Sequence, residues 1–292
     1  MARRVSLIVN PHAGGGRAAA ALPAVQAALS DRGVAWHAEP TTSLEHAREL
    51  ARAACAEGEV AVTLSGDGMV GAVAGELQGT NGVLGVLPGG RGNDFMRTLG
   101  IPHDIAAGCE VIASGAERMI DVGEVDGRPF IGIASCGFDS EANKIANETT
   151  LVQGNLVYAY AALRALAAWT PARFELDIDG RERIAFPGFS VGACNTKAYG
   201  GGMFVAPEAE LDDGLLDLVM YSRGTKRRFL LNLTKCFQGR LQESPSVQVV
   251  RAREVRISAD RPFTMYADGD PIADLPATVR VHHRALRVLA PA

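Results

Sequence analysis

The first 125 residues alternate short apolar runs with alanine-rich segments whose apolar positions repeat at helical spacing. Strands are predicted over residues 5–9, 34–38, 59–64 and 83–87, and helices over residues 17–29, 44–56 and 70–77. Ser43 stands directly before the second helix, where a hydroxyl is a preferred N-cap. Alternating strands and helices predict a parallel sheet that is covered on both faces, with ligands bound beyond the carboxyl ends of its strands.

From about residue 118 the pattern changes to short alternating runs joined by Asp-Gly pairs. Asp126-Gly127 separates runs at 119–125 and 129–134, and Asp179-Gly180 separates runs at 174–178 and 183–191. Asp-Gly between two such runs is a strong hairpin signal. Residues 247–289 are also strand-like, and helical segments interrupt the pattern near 151–169 and 225–240. The sequence therefore predicts a three-layer α/β domain over residues 1–122 and a β-sandwich domain over residues 123–292.

Composition places this chain among ordinary globular proteins: 47% of its 292 residues are hydrophobic and 21% are charged. A net charge of -4 gives bulk nucleic-acid binding no electrostatic drive. The five cysteines form no CxxC pair, which favours reduced thiols and a cytoplasmic location. The most apolar segment, residues 151–169, contains Gln153, Asn155 and Arg164 and is predicted to be amphipathic, not membrane-spanning.

Three glycine-bearing loops follow three of the predicted strands. They are Asn10-Pro-His-Ala-Gly-Gly-Gly-Arg17, Leu64-Ser-Gly-Asp-Gly-Met-Val70 and Leu87-Pro-Gly-Gly-Arg-Gly-Asn-Asp94. In a parallel sheet all three emerge at one edge, and glycine lets backbone N–H groups approach an anion closely. The first two loops lead into helices, whose N-termini favour phosphate. Together these loops predict a phosphate-binding site.

The chemistry of these loops differs from that of two familiar nucleotide motifs. Gly14, Gly16 and Ala19 fit G-x-G-x-x-A, and Glu39 follows about 20 residues later, but four residues separate the strand from the first glycine. That spacing makes the dinucleotide match spurious. No P-loop lysine is present, whereas Asp67 between two glycines suits Mg²⁺ beside a triphosphate.

These motifs, with Pro88-Gly-Gly-Arg-Gly-Asn-Asp-Phe95 in the third loop, resemble the diacylglycerol kinase catalytic family, which sphingosine and ceramide kinases share. The resemblance continues through Cys136-Gly-Phe-Asp139, Gly200-Gly-Gly-Met-Phe-Val-Ala-Pro207, Asp212-Asp-Gly-Leu-Leu-Asp217 and Asp268-Gly-Asp270. The matching motifs follow one another along nearly the whole chain. No single motif is specific, but their combination is.

The resemblance implies a nucleotide cleft between the two domains and assigns residues to it. ATP is expected to contact Asn10, Thr41, Gly66, Asp67, Gly68, Met69, Gly90, Arg91, Asn93 and Asp94. A structural Mg²⁺ is expected at Asp213, with the main-chain carbonyls of Glu210 and Leu215. Asp270 occupies the position of the catalytic base. The Asn93-Asp94 pair is equally compatible with helix capping.

The chain departs from the family pattern at several positions. The usual Gly-Gly-Asp-Gly-Thr-x-Asn-Glu is changed, so that Met69, Gly71 and Ala72 stand where a threonine, an amide and a carboxylate are expected. Arg91 replaces a threonine, and its guanidinium fork suits phosphate. Asp270 replaces the longer glutamate. These departures bear on nucleotide choice and catalytic rate more than on the fold.

The expected activity is therefore an ATP- and Mg²⁺-dependent lipid kinase that phosphorylates the hydroxyl of diacylglycerol or a related lipid alcohol at a membrane surface. Residues 151–169 and 226–235 either meet lipid or pack as ordinary core-facing helices. A homodimer is compatible with the sequence, and nucleic acid is not an expected partner. Two alternatives stay open: an NAD-kinase-like enzyme with a soluble acceptor, and a non-catalytic nucleotide- or lipid-binding protein of the same fold.

Overall fold

A computed structural model describes residues 3–149, 156–222 and 224–292 of the chain. The strands are β1 (Arg4–Val9), β2 (Ala35–Pro40), β3 (Val60–Ser65), β4 (Val83–Pro88), β5 (Ala116–Val125), β6 (Arg128–Phe130), β7 (Ile133–Gly137), β8 (Ala172–Ile178), β9 (Glu182–Cys194), β10 (Ala198–Tyr199), β11 (Met203–Phe204), β12 (Leu216–Ser222), β13 (Val247–Ala252), β14 (Glu254–Ala259), β15 (Thr264–Ala267), β16 (Asp270–Asp274) and β17 (Ala277–Ala290). The helices are α1 (Arg17–Asp31), α2 (Leu44–Glu57), α3 (Asp67–Leu77), α4 (Asp94–Thr98), α5 (Ile105–Ser114), α6 (Phe138–Glu148), α7 (Leu156–Ala168) and α8 (Lys226–Phe237).

The first unit is the predicted parallel sheet, in the order β2-β1-β3-β4. Every residue of β3 is buried, because α1 packs with α5 and α2 packs with α3 over the sheet. Ser43 caps α2 by accepting the N–H of His46, as predicted. The prediction for the third helix is wrong at its start: α3 begins at Asp67 and not at residue 70.

The second unit is an antiparallel sandwich built from hairpins, as the Asp-Gly pairs predicted. Asp126 and Asp179 adopt left-handed backbone conformations, with φ of 46° and 52°, at the β5–β6 and β8–β9 turns. Such turns match the twist of the strands that they join. The predicted strand over residues 129–134 is wrong, since the chain leaves β6 at Phe130 and begins β7 only at Ile133.

Aromatic side chains fill the core beneath α7 and α8. Phe229 of α8 lies with its ring centroid 4.8 Å from Phe189 and 4.4 Å from Phe138, and Trp169 stacks 6.2 Å from Phe189. The predicted helix over residues 151–169 is described only from residue 156, since residues 151–155 lie outside the described part of the chain, and there α7 packs on the sandwich, as α8 does. Within the described part of the chain, no helix combines the length and the apolar character needed to cross a membrane.

The final strand, β17, joins the two units. Its first half pairs with β14 and β5, where Val279 is buried in the core of the sandwich. Its second half runs parallel to β4, where Leu286 and Val288 are buried in the core of the first unit. The sheet is thus continuous across both units, with 15 strands in all.

Removing the side chain of Leu286 should destabilise the first unit, although the residue belongs to the last strand. Leu286 is fully buried, so Leu286→Ala leaves a cavity and should lower the free energy of unfolding by about 2–5 kcal/mol. Leu163→Ala, at a side chain that is 57% exposed, is the matched control and should change it by less than about 0.5 kcal/mol. Urea titration of both variants measures the difference, and equal effects would contradict the assignment of β17 to the first core.

Candidate functional site

The three glycine loops meet at one edge of the sheet, as predicted. Strands β1, β3 and β4 are parallel neighbours, so their carboxyl ends lie side by side. The backbones of the second and third loops touch at Gly66 and Gly90, where a Cβ atom on Gly90 would overlap the Cα of Gly66. Asn10 ties the first loop to this pair by donating its N–H to the carbonyl of Leu64 at 3.2 Å.

Asp67 links the second loop to the third and begins α3. Its Oδ1 accepts the N–H of Phe95 at 3.2 Å. Asp94 lies beside it and accepts the N–H of Gly201 at 2.7 Å, which reaches in from the second unit. Burial raises the pKa of Asp94, and the neighbouring charge of Asp67 raises it further. The two carboxylates begin two different helices, α3 and α4, and their neighbouring negative charges favour a cation between the loops.

The other residues predicted to bind nucleotide fall into two groups. Gly68, Gly90 and Arg91 belong to the loops, and Arg91 is exposed at the tip of the third. Asn93 is buried, and its side chain accepts the N–H of Gly90 at 2.9 Å, closing the loop on itself. Asn93 occupies the N-cap position of α4, as the capping interpretation predicted, but its side chain makes no capping bond to that helix.

Thr41 and Met69 contact each other and not the open cleft. The hydroxyl of Thr41 donates to the carbonyl of Val9 at 3.1 Å, and the Sδ of Met69 lies 3.8 Å from that hydroxyl. Both side chains are buried. Met69 thus replaces a polar family side chain with an apolar one that packs under the loop.

Asp270 reaches the glycine loops from the second unit. It begins β16, is exposed, and its Oδ2 is so close to Gly68 that a Cβ atom there would lie 3.5 Å away. Both residues line a cleft of about 570 Å³ between the two units. Gly71 and Ala72 line the same cleft, so two of the departures from the expected pattern lie there.

Asp268, two residues earlier, is a site residue that the sequence reasoning missed. Its carboxylate accepts the N–H groups of Ile131, Gly132 and Ile133 at 2.9, 2.9 and 3.3 Å. Burial raises the pKa of Asp268 to about 6, with Asp67 adding to the shift against these three hydrogen bonds. The available signal was the Asp-Gly pair at 268–269, which marks a turn with φ of 52° at Asp268.

A second cavity of about 190 Å³ opens on the other side of Asp268. Its walls combine Asp67, Asp94 and Asp268 with the apolar side chains of Phe95, Ile131, Ile133, Tyr199, Met203 and Tyr266. Ile133, Ser135, Tyr199 and Met203 also line a small internal cavity of about 50 Å³ in the sandwich core. Asp139, from the Cys-Gly-Phe-Asp motif, lies on that inner cavity.

The predicted metal residues lie on a separate loop before β12. Asp213 accepts the N–H of Leu215 at 2.9 Å, while its Oδ2 is buried and has no hydrogen-bond partner, with Arg251 3.7 Å away. Carboxylate and carbonyl oxygens are what Mg²⁺ prefers, so Asp213 with the carbonyls of Glu210 and Leu215 fits such an ion. Among the described residues no group of three or more His, Cys, Asp or Glu side chains is arranged to hold a metal.

Comparison with known proteins identifies the family. The diacylglycerol kinase catalytic domain family matches residues 4–125, and the YegS C-terminal NAD kinase beta sandwich-like domain family matches residues 132–290. A diacylglycerol kinase of Mycobacterium tuberculosis is 34% identical, over 99% of this chain and 95% of the relative. The chain belongs to the diacylglycerol kinase family. A diacylglycerol kinase of Bacillus subtilis is 28% identical, over 99% and 97% of the two chains.

Solved structures agree with this assignment at the level of the fold. A diacylglycerol kinase from Bacillus anthracis superposes with a TM-score of 0.78 at 21% identity, covering 99% of this chain and 97% of the other. An NAD kinase from Archaeoglobus fulgidus in complex with ATP gives 0.51 at 11% identity, with 98% and 93% covered. The predicted fold class and the lipid-kinase class of enzyme are confirmed.

Replacing Asp139 should change the pH dependence of stability. Burial raises the pKa of Asp139 to about 6, above the value of about 4 expected in the unfolded chain. Between about pH 4 and pH 6 only the unfolded state loses the proton, so stability falls across this range, stays lowered by a constant amount above it, and is unaffected below it, where both states are protonated. Asp139→Asn should become progressively more stable than the wild type as pH rises from about 4 to 6, measured by urea titration. A difference that does not vary with pH would contradict this assignment.

Proposed function

We propose that this protein transfers the γ-phosphoryl group of ATP to the hydroxyl of diacylglycerol or a related lipid alcohol. The observation that carries the proposal is the apposition of Asp270 and Gly68 across the cleft. A carboxylate from the second unit is thereby placed at the helix N-terminus where phosphate is expected from the first. Phosphoryl transfer requires a nucleophile, its proton acceptor and the phosphate at one point.

The nucleotide is assigned to the cleft of about 570 Å³. Its phosphates are placed at the N-terminus of α3, where the N–H groups of the Gly-Asp-Gly turn and the helix dipole favour negative charge. Arg91, exposed on the adjoining loop, supplies a positive charge that offsets charge on the phosphate. Arg48, Glu76 and Arg128 line the outer cleft and provide polar groups for the nucleoside.

Magnesium is assigned two places. Asp67 lies where a cation bound to the phosphates is required, because this carboxylate and Asp94 otherwise repel a triphosphate. When bound there, Mg²⁺ neutralises charge on the phosphate oxygens. The second place is the loop of Asp213, where the ion supports the fold of the second unit and takes no part in the reaction.

The acceptor is assigned to the apolar cavity on the other side of Asp268. Aromatic and aliphatic side chains line it, together with the carboxylates of Asp67, Asp94 and Asp268 and the polar side chains of Ser135, Asn143 and Thr196. An alcohol with an acyl chain matches this mixed lining, with its hydroxyl toward Asp268, which also lines the nucleotide cleft beside Asp270. A soluble nucleotide acceptor, as in the NAD-kinase-like alternative, matches it less well, because an apolar wall offers its polar groups no partners.

Asp270 is assigned the role of general base, and its replacement separates a kinase from a non-catalytic binding protein. Asp270→Asn keeps the side-chain volume and removes the charge that accepts the hydroxyl proton. We expect ATP affinity to be nearly unchanged and phosphoryl transfer to fall by about 10²–10⁴. Asp270→Glu should retain much of the activity. The measurement combines calorimetry with transfer of labelled phosphate to dispersed diacylglycerol.

Asp67→Ala is the contrasting variant in the same experiment. It should lose Mg-ATP binding itself, because it removes the proposed cation ligand while leaving the core intact. Wild-type protein that binds ATP but phosphorylates no lipid would favour the non-catalytic alternative. Full activity of Asp270→Asn would show that another group is the base.

Magnesium at the Asp213 loop should raise thermal stability independently of catalysis. After chelation, addition of Mg²⁺ should raise the Tm of the wild type, because an ion that binds only the folded state stabilises it. Asp213→Ala should abolish this rise, and Asp31→Ala, at an exposed helix end, should not. A wild-type Tm that does not respond to Mg²⁺ would leave Asp213 with a role in the turn alone.

A further inference from the structure

Two stretches of the sequence contain no acidic residue, and each includes a helix. No Asp or Glu occurs between Glu148 and Glu175, or between Asp217 and Glu243, although the chain has more acidic than basic residues overall. The described parts of these stretches contain α7 and α8. The Nζ of Lys226 donates to the carbonyl of Ala167 at 2.7 Å, so the start of α8 touches the end of α7. The two helices therefore adjoin at this point, and their described residues carry no acidic side chain.

The surface of these two helices exposes large apolar side chains. Leu163 of α7 and Leu231 and Phe237 of α8 are 57%, 67% and 59% exposed, and Leu230 is exposed beside them. Of the exposed large hydrophobic residues in the described chain, only Leu44 lies elsewhere. The basic side chains of Lys226, Arg227, Arg228 and Lys235 are interspersed along α8. Exposed apolar side chains together with basic residues are typical of a helix that lies in a membrane interface.

The inner side of α8 connects this surface to the acceptor site. Phe229 and Cys236 face inward and line the internal cavity of about 50 Å³. Met203 lines both that cavity and the acceptor cavity, and α8 packs against β11, which contains Met203. A lipid surface at the outer face of α8 therefore lies next to the wall of the site where we place the lipid substrate.

We infer that the outer face formed by α7 and α8 docks on a bilayer that contains anionic lipids. Leu231 and Phe237 enter the headgroup region while the basic residues pair with lipid phosphates. This proposal deepens the proposed function by naming the surface and the lipid charge that bring the enzyme to its substrate. Docking itself requires no phosphoryl transfer, so the two proposals can fail separately.

The charge of this face favours a bilayer over a second copy of the chain as the surface that covers it. In a symmetric dimer through this face, the basic residues of α8 would face the same residues of the partner, since such interfaces pair one patch with itself. Like charges that are brought together without acidic partners repel. An anionic bilayer supplies the missing negative charge, with each basic side chain contributing about 1 kcal/mol near the surface.

Vesicle co-sedimentation tests the proposal. Wild-type protein should bind vesicles of equimolar phosphatidylcholine and phosphatidylglycerol, bind much more weakly to phosphatidylcholine alone, and be released by high salt, which screens the attraction. Arg227→Gln/Arg228→Gln should weaken binding by roughly tenfold to thirtyfold, from the contribution of two charges. Leu231→Ser/Phe237→Ser should weaken it by at least about tenfold, because it removes apolar insertion.

Arg181→Gln/Arg183→Gln is the matched charge control, since it removes two exposed arginines at the distant β8–β9 turn and should bind as the wild type does. All variants are also assayed with a water-soluble short-chain diacylglycerol. Loss of activity on vesicle-borne but not on soluble acceptor supports docking. Equal binding by the α8 charge variant and the control, or equal binding of the wild type to both vesicle types, overturns it. Concentration-dependent dimerisation that the Leu231 and Phe237 changes abolish would identify a second copy as the occupant.

Discussion

The cleft depends on the carboxylate of Asp268. Three successive N–H groups, from Ile131 to Ile133, lie at the break between β6 and β7, and Asp268 accepts all three. This contact fixes the β15–β16 turn against the interior of the second unit. Asp270 is only two residues further along the chain. Its position relative to Gly68 is therefore a consequence of that anchoring. The same carboxylate separates the cleft assigned to nucleotide from the cavity assigned to lipid.

Hydrogen bonds from distant segments also hold the carboxylates beside the glycine loops. Asp67 and Asp94 are each held by a backbone N–H from another segment, Asp67 by Phe95 and Asp94 by Gly201. These hydrogen bonds fix the orientation of both carboxylates before any ligand binds, although burial still raises the pKa of Asp94. A preorganised pair of this kind favours a ligand that brings its own cation. It also links the first unit to the Gly200–Gly202 turn of the second.

The parallel sheet, both Asp-Gly hairpins and the meeting of the glycine loops could be predicted from the sequence, because each rests on local periodicity or on turn chemistry. The break at Phe130 could not, since its cause is Asp268, which is far away in the sequence. The roles of Asn93 and Met69 were equally hidden: a side chain that closes its own loop and one that packs beneath a loop have the same sequence pattern as ligand-binding residues. Family resemblance assigned functions to these positions without showing where their side chains point.

The shared strand β17 has a consequence for how the protein is made. The sheet edge at β4 stays without its neighbour until residues 286–288 have left the ribosome, because those residues supply the pairing partner. The first unit, although it is translated first, therefore cannot complete its core before the second unit has been synthesised. Its incomplete sheet presents an open strand edge during that interval, which is the kind of surface that chaperones protect.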